Sequence, residues 1–282
     1  AFTGDRSGAI VARVQPMKLA AMEALYEGQE GAPLTAVGVL RPEAERTNDE
    51  DAFYFKIGIP KMLSLMSFRD ADAFVPGIYD LVYGNEERGI MSAAEKIERG
   101  RTAVDKLGRY RAAREAGDTA AIQVIQSKFD RSTPEGEAFL RDHFAYFGYG
   151  YLDRPEQIVP NVPLLFYSFR VMVALGGYFI LLFAAILFFC YRRTLAGKRW
   201  MLYAMLWSIP LAYLASVSGW IVAEVGRQPW TIQDLLPTVA SVSRINTGSL
   251  ITAFFLIVVL FPPLMIATLM ILTRQIRIGP ED

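Results

Sequence analysis

Three long uncharged stretches near the end of the chain predict helices that cross a membrane. They run from Val171 to Cys190, from Trp200 to Ala223 and from Ile245 to Thr273. About 20 apolar residues, each rising about 1.5 Å along a helix, cross the hydrocarbon core of a bilayer. None of the stretches shows the single apolar stripe of a half-buried soluble helix. We therefore predict three spans, at about 165–191, 199–224 and 245–273.

The charged side chains lie mostly before these stretches. Of the 29 basic and 29 acidic residues, 20 and 25 lie in residues 1–163, whereas only 9 and 4 lie in residues 164–282. This division excludes a single soluble core. It predicts an extramembrane part, residues 1–163, followed by a transmembrane part, residues 164–282. Neither part shows a basic patch suited to nucleic acid.

The charges that flank the stretches predict the orientation of the chain in the membrane. The connection at 191–200 carries four basic residues and no acidic one, and the tail after Thr273 begins with two further basic residues. The connection at 224–244 is balanced by two basic and two acidic residues: Arg227, Arg244, Glu224 and Asp234. By the positive-inside tendency, we expect the C-terminus on the cytoplasmic side and residues 1–163 on the periplasmic, outer side.

Several features of the chain bear on its completeness and on the sites it can form. Residues 1–14 lack the apolar core of a signal peptide, so a polar part placed outside the membrane requires an earlier span. We therefore expect the sequence to be a piece of a longer protein. The single Cys190 excludes an intrachain disulfide bond, and the single His143 excludes a site built from two histidines of this chain. His143 itself is expected at the surface.

The extramembrane part is predicted to be mostly helical. The segment Gln15–Glu27 (QPMKLAAMEALYE) is a strong helix former with a proline near its start. Further helices are predicted at Ala93–Ala116, Thr119–Phe129 and Pro134–Phe147, and residues 53–66 begin with a strand-like stretch. The predicted fold class is thus an all-α integral membrane protein, with three transmembrane helices and a large, mostly helical extramembrane loop.

One acidic residue lies at an unusual place beside the second stretch. Glu224 directly follows the uncharged run, and an ionisable group in a span costs about 2.5–3.5 kcal/mol unless it is paired or bound. Trp220, Glu224 and Arg227 are spaced so that they share one helix face. This arrangement fits a functional site. It fits equally well a Glu–Arg pair with an interfacial tryptophan at a helix end.

Four motifs follow one another in a fixed order along the chain. They are QPMKLAAMEALYE at 15–27, LLFYSFRVMVALGG at 164–177, GKRWMLYAMLWSIPLAYLASVSGW at 197–220, and GWIVAEVGRQPW at 219–230, which continues as TIQDLLPT. In that order they resemble the quinol-binding loop, the seventh span, the eighth span and the signature of subunit I of the cytochrome bd quinol oxidases. The resemblance extends over nearly the whole chain and is weaker in residues 85–155.

This resemblance implies part of a respiratory terminal oxidase of the bacterial cell (inner) membrane. Such an enzyme, a quinol:oxygen oxidoreductase, oxidises ubiquinol or menaquinol. It passes electrons through a low-spin and a high-spin heme b to heme d, where dioxygen is reduced to water. The implied partners are a second oxidase subunit, small single-span subunits and the lipid bilayer. The family's histidine heme ligands lie in earlier spans, so this part alone is expected to be inactive.

The resemblance also assigns candidate residues for quinol binding and oxidation. Gln15, Lys18 and Glu23 fall on the family's quinol-loop residues. On a helix these three side chains would fall within an arc of about 140°, which they would share with Leu19, Met22 and Tyr26. A carboxylate in that position could accept a quinol proton, which is the role expected for Glu23.

The heme assignments fall on the two stretches nearest the loop. Met172 falls on an axial ligand of the low-spin heme, and Arg170 falls on its basic neighbour. A thioether is a soft ligand that raises the potential of a heme, although a methionine in a span is otherwise ordinary packing. Glu224 falls on the ligand of the high-spin heme b, with Trp220 beside the hemes and Arg227 at a propionate. Binding to the metal would offset the cost of burying that carboxylate.

Two other classes of protein remain open from the residues alone. One is a fragment of a helical membrane transporter or receptor with an outer ligand-binding cap, and the other is a structural accessory subunit without heme. The first explains three spans and an outer part, but it does not explain GRQPW together with QPxKLAAxE. A reduced-minus-oxidised optical spectrum separates all three classes, because only the oxidase shows heme b and heme d bands.

Overall fold

The computed structural model describes residues 2–42, 52–127, 129–130, 132–243 and 245–279. The chain divides into two compact units, Ala1–Ser241 and Val242–Asp282. The first unit contains two of the long apolar helices together with the shorter elements, and the second contains a third long helix. Arg244, one of the residues on which the predicted orientation rests, lies outside the described residues.

The first unit begins with two short helices, α1 (Phe2–Val14) and α2 (Pro16–Glu23). The sequence motifs did not predict α1. The helix predicted at Gln15–Glu27 ends early, because Ala24 is left-handed and its N–H bonds back to carbonyls of α2. Pro16 occupies the first turn, where its missing N–H is not needed. The second half of α2 is buried, so this short helix lies in the core of the unit.

Short antiparallel strand pairs and two further helices follow α2. The elements in chain order are β1 (Gln29–Glu30), β2 (Leu34–Leu40), β3 (Phe53–Ile59), α3 (Met62–Phe68), β4 (Phe74–Val75) and α4 (Ile78–Tyr83). Strand β2 pairs with β3, and β1 pairs with β4. β3 and α3 occupy the segment that the sequence predicts to begin as a strand, since aromatic and β-branched residues suit a pleated surface.

The next three helices are α5 (Ala93–Glu115), α6 (Thr119–Ser127) and α7 (Pro134–Asp142). The last one is shorter than predicted, and a 3-10 segment at Phe144–Tyr151 follows it. This segment lies very close to α5, because a Cβ atom on Gly100 would be only 2.3 Å from the Tyr146 carbonyl oxygen. Glycine is therefore required at position 100.

His143, between α7 and the 3-10 segment, differs from the expectation. It is half-buried rather than at the surface, with its ring stacked on Phe139 at a centroid distance of 5.1 Å. Its Nδ1 atom is buried, and no hydrogen bond reaches it within the described part of the chain. His143 is half-buried because an aromatic cluster packs around this end of α7.

Two long helices follow, α8 (Val162–Tyr191) and α9 (Arg199–Val225), and they pack against each other. Asn161 caps α8 by accepting a hydrogen bond from the Leu164 N–H. Inside the pair, the Tyr178 and Ser208 hydroxyl groups are 2.9 Å apart. Polar contacts of this kind join helices in an apolar medium, where lipid chains offer no partner.

A small hairpin of β5 (Trp230–Ile232) and β6 (Leu236–Pro237) follows α9. It is held by the 3-10 segment at Phe144–Tyr151. Tyr149 donates a hydrogen bond of 2.8 Å to Asp234, and the Tyr149 and Trp230 rings lie 4.7 Å apart. The hairpin therefore has a fixed place directly after α9.

The second unit consists mainly of α10 (Thr247–Ile278), which contains Pro262 and Pro263. Each of the three helices α8, α9 and α10 is long enough and apolar enough to cross a membrane. The predicted fold class, an all-α membrane protein with three such helices, is confirmed.

Candidate functional site

Glu23, at the end of α2, forms an ion pair with Arg170 of α8. The Glu23 carboxylate is almost fully buried, and its Oε2 atom lies 2.7 Å from Arg170 Nη2. The same oxygen accepts a hydrogen bond of 3.2 Å from the Thr35 N–H. Arg170 also donates to the carbonyl oxygens of Met22 and Thr35 and lies over the Phe166 ring. One guanidinium thus joins α2, β2 and α8.

Burial dominates the electrostatics of this pair. Taking a carboxylate out of water disfavours its charged form, and this raises the pKa of Glu23 above its ordinary value. The Arg170 charge and the Thr35 N–H oppose that effect without cancelling it. The structure therefore places a carboxyl group with a raised pKa at the point where the loop meets α8.

Lys18, five residues earlier in α2, contacts the end of α9 instead. Its Nζ atom donates to the Ala223 carbonyl oxygen at 3.4 Å, and its aliphatic stem lies against Gly226. Burial lowers the pKa of Lys18, and the nearby Arg227 lowers it further, whereas Glu224 raises it. The carbonyl end of a helix attracts a cation, so this position suits an ammonium group.

Glu224 and Arg227 form an ion pair at the end of α9. Arg227 Nη2 donates to Glu224 Oε2, and both side chains are partly exposed. Arg227 Nε is buried, and it has no hydrogen-bond partner within the residues that the structure describes. The Trp220 side chain, one turn earlier, is 65% exposed. The Glu–Arg pair that the sequence also allowed is therefore present, and the Nε–H group of Arg227 remains available to a ligand.

The side chain of Met172, a residue of α8, lies against Gly219 of α9. It is half-buried, and its Sδ atom is 3.1 Å from the position that a Cβ atom on Gly219 would take. Glycine at position 219 therefore leaves the room that the thioether occupies. Met172 follows Arg170 by two residues, so the sulfur and the ion pair belong to the same short stretch of α8.

Of the three quinol-loop candidates, Lys18 and Glu23 lie in α2, whereas Gln15 lies outside the helix on which the predicted arc depends. Gln15 lies just before α2 and forms no cap hydrogen bond with its side chain, while Tyr26 lies beyond the end of the helix. Lys18 reaches α9, and Glu23 reaches α8. The predicted arc that extends to Tyr26 is wrong, because the left-handed Ala24 ends the helix. The helix instead bridges the two spans.

The comparison with known families decides the membership of this chain. The family model described as cytochrome bd terminal oxidase subunit I matches residues 1–280. The chain belongs to this family. It is 33% identical, over 99% of its length and 52% of the relative, to the cytochrome bd-II ubiquinol oxidase subunit 1 of Escherichia coli (strain K12). It is 24% identical, over 95% of its length and 42% of the relative, to the cytochrome bd ubiquinol oxidase subunit 1 of Bacillus subtilis (strain 168).

A solved structure has the same fold. The bd oxidase from Geobacillus thermodenitrificans aligns with a TM-score of 0.58 and 24% sequence identity, over 99% of this chain and 46% of that one. The chain thus spans about half the length of the relatives it matches. The family membership and the three apolar helices together make it a membrane protein.

The donor groups present in this chain fit what a heme requires of a protein. No cluster of three or more His, Cys, Asp or Glu side chains suited to a metal ion occurs among the described residues. A heme needs only one axial atom from each side and cations for its propionates. Met172 offers a thioether, Glu224 offers a carboxylate, and the unpartnered Nε atoms of Arg170 and Arg227 offer donors.

Sequence reasoning missed the backbone and glycine contacts of this site. The Met22 and Thr35 carbonyl groups that bind Arg170 carry no sequence signal, since every residue has a carbonyl group. Gly219 and Gly226 both stand inside the motif GWIVAEVGRQPW. Their place in this motif was the signal that could have identified them.

Proposed function

We propose that this chain is the quinol-oxidising, heme b-binding part of a respiratory terminal oxidase that reduces dioxygen to water. One observation carries the proposal: α2 contacts both candidate heme helices. Glu23 pairs with Arg170, which lies two residues from Met172, and Lys18 lies beside Glu224 and Arg227. A quinol held at α2 is therefore next to both candidate ligand positions.

The candidate heme-binding residues form two groups. Met172 and Arg170 would hold the low-spin heme b, as axial ligand and as basic neighbour. Glu224 would be the ligand of the high-spin heme b, with Trp220 beside it and the Arg227 Nε donor directed at a propionate. When bound, these hemes and heme d supply one-electron transfer and the site of dioxygen reduction. The remaining ligands come from outside this chain.

The quinol itself would be bound by residues of α2 and the residue before it. Within the described part of the chain, hydrogen bonds reach only the Oε2 atom of Glu23. Oε1 is left to accept a quinol proton, and a raised pKa favours proton uptake. The Lys18 ammonium and the Gln15 amide would donate hydrogen bonds to the quinol oxygens. Ubiquinol and menaquinol present the same oxygen atoms to these groups.

The arrangement in the membrane follows from the charges. The basic connection between α8 and α9 lies on the cytoplasmic side of a bacterial inner membrane, and so does the C-terminus. Residues 1–163 and the β5–β6 hairpin then lie on the periplasmic side, where quinol protons are released. A second oxidase subunit and small single-span subunits would complete the complex.

A reduced-minus-oxidised optical spectrum of the intact, full-length complex tests this function. We expect bands of heme b and heme d, and reduction of these bands by added quinol. A complex without heme bands would contradict the proposal and favour a transporter, a receptor or an accessory subunit. If heme bands are present but added quinol does not reduce them, only the proposed quinol-binding role of α2 would be contradicted.

A further inference from the structure

Gly226 follows the last residue of α9 and lies beside the Lys18 side chain of α2. Its backbone angles, φ −68° and ψ −15°, are ones that any residue adopts. Conformational freedom therefore does not explain a glycine here. The neighbourhood does, because a Cβ atom at position 226 would meet the Val222 carbonyl oxygen and would also lie 3.0 Å from both Cγ and Cε of Lys18. That separation is too short for carbon atoms, whose best contact distance is about 3.5–4.0 Å.

We infer that Gly226 is a positioning residue for Lys18. The missing side chain lets the Lys18 stem lie flat against the end of α9. The ammonium is then held at the Ala223 carbonyl oxygen, beside Glu224 and Arg227. This inference rests on the proposed function, in which Lys18 binds the quinol. It adds that a residue of the GRQPW motif sets the place of that ammonium.

A second contact complicates the obvious variant. The same Cβ position lies 2.5 Å from the Val222 carbonyl oxygen, so Gly226→Ala also disturbs the helix end without involving Lys18. A double-mutant cycle with Lys18→Ala separates the two effects. The part that acts through Lys18 disappears when Lys18 is absent, and the part that acts through Val222 remains.

The cycle is measured in the full-length protein within the intact oxidase. We expect Lys18→Ala to raise the KM for quinol, and Gly226→Ala to raise it in the same way while the rate with an artificial one-electron donor is kept. Gly226→Ala should raise the KM by a smaller factor in the Lys18→Ala background than in the unmodified protein, because only the part that acts through Val222 remains there. Gly108→Ala is the control, because Gly108 lies in a helix with nothing within 4 Å of an added Cβ atom.

Chemical acetylation of lysines gives a readout that does not depend on activity. Lys18 is half-buried, so we expect it to react slowly in the unmodified protein and several-fold faster in Gly226→Ala. Lys61, whose side chain is 59% exposed, should react equally in both. The Gly108→Ala control should leave Lys18 as slow as before.

If Lys18→Ala impairs quinol oxidation, three results would contradict the inference about Gly226 without contradicting the proposed function. They are unchanged acetylation of Lys18 in Gly226→Ala, an equal effect of Gly226→Ala with and without Lys18, and loss of assembly in both backgrounds. If Lys18→Ala leaves quinol kinetics unchanged, the proposed role of α2 fails and the inference fails with it.

Discussion

The Glu23 carboxylate and the Arg170 guanidinium lie 2.7 Å apart, although 147 residues separate them along the chain. Both side chains are largely buried, and the guanidinium also binds two backbone carbonyl groups of neighbouring segments. Their pairing fixes α2 and β2 against the start of α8.

Arg170→Met should destabilise the protein strongly. The variant leaves the Glu23 carboxylate buried without its partner, which costs about 3–5 kcal/mol in the free energy of unfolding. The measurement is unfolding of the full-length protein in detergent micelles. Arg88→Met is the matched control, because its pair with Glu30 is equally short but exposed, and it should cost less than about 1 kcal/mol. Equal losses in the free energy of unfolding in both variants would show that the buried pair contributes no more to stability than the exposed pair.

Glu23→Gln should remove a pH dependence from quinol oxidation. Burial raises the pKa of Glu23 above 4.5, so the proton-accepting carboxylate is lost at a higher pH than for an ordinary glutamate. The rate should therefore fall as the pH drops through that raised pKa. The Gln variant should be slower by about 100-fold or more, without this acid limb. Glu27→Gln, at an exposed position on the same segment, should leave the profile unchanged. An acid limb that persists in Glu23→Gln would exclude this carboxyl group as the base.

Met172→Leu should change the low-spin heme and leave the fold intact. Leucine keeps the volume, so the loss in stability should stay below about 1.5 kcal/mol, but it removes the sulfur ligand. Potentiometric titration of the low-spin heme checks this, and its signal should be lost or shifted. Met201→Leu is the control, because Met201 is fully buried in α9 and away from the candidate ligands. A low-spin heme at its original potential in Met172→Leu would assign Met172 to packing alone.

Glu224→Gln should remove the high-spin heme b. The variant keeps the shape of the side chain and takes away the anionic ligand, whose charge the metal would neutralise. Optical spectra should show the high-spin component lost and heme d disturbed, and the low-spin heme proposed at Met172 would serve as an internal reference. Full high-spin heme with full oxygen consumption would leave Glu224 as the partner of Arg227 only, as their ion pair in the structure allows.

The features of this protein that depend on local composition could be predicted from its residues alone. The three apolar helices follow from uncharged runs, because a bilayer accepts an apolar helix largely independently of its neighbours. The motifs around Lys18, Met172 and Glu224 were sufficient to identify the family. Periodicity also located α5 and α6, whose boundaries lie within two residues of those predicted.

Which of these residues contact one another could not be predicted, because it depends on how distant segments pack. The left-handed Ala24 ends α2 early, and the packing of α2 then directs Lys18 to α9 and Glu23 to α8. The Met22 and Thr35 carbonyl groups and the gap at Gly226 complete those contacts. Hydropathy and helical spacing are local properties. Ion pairing and steric fit depend instead on burial and on backbone positions that come together only when distant segments pack.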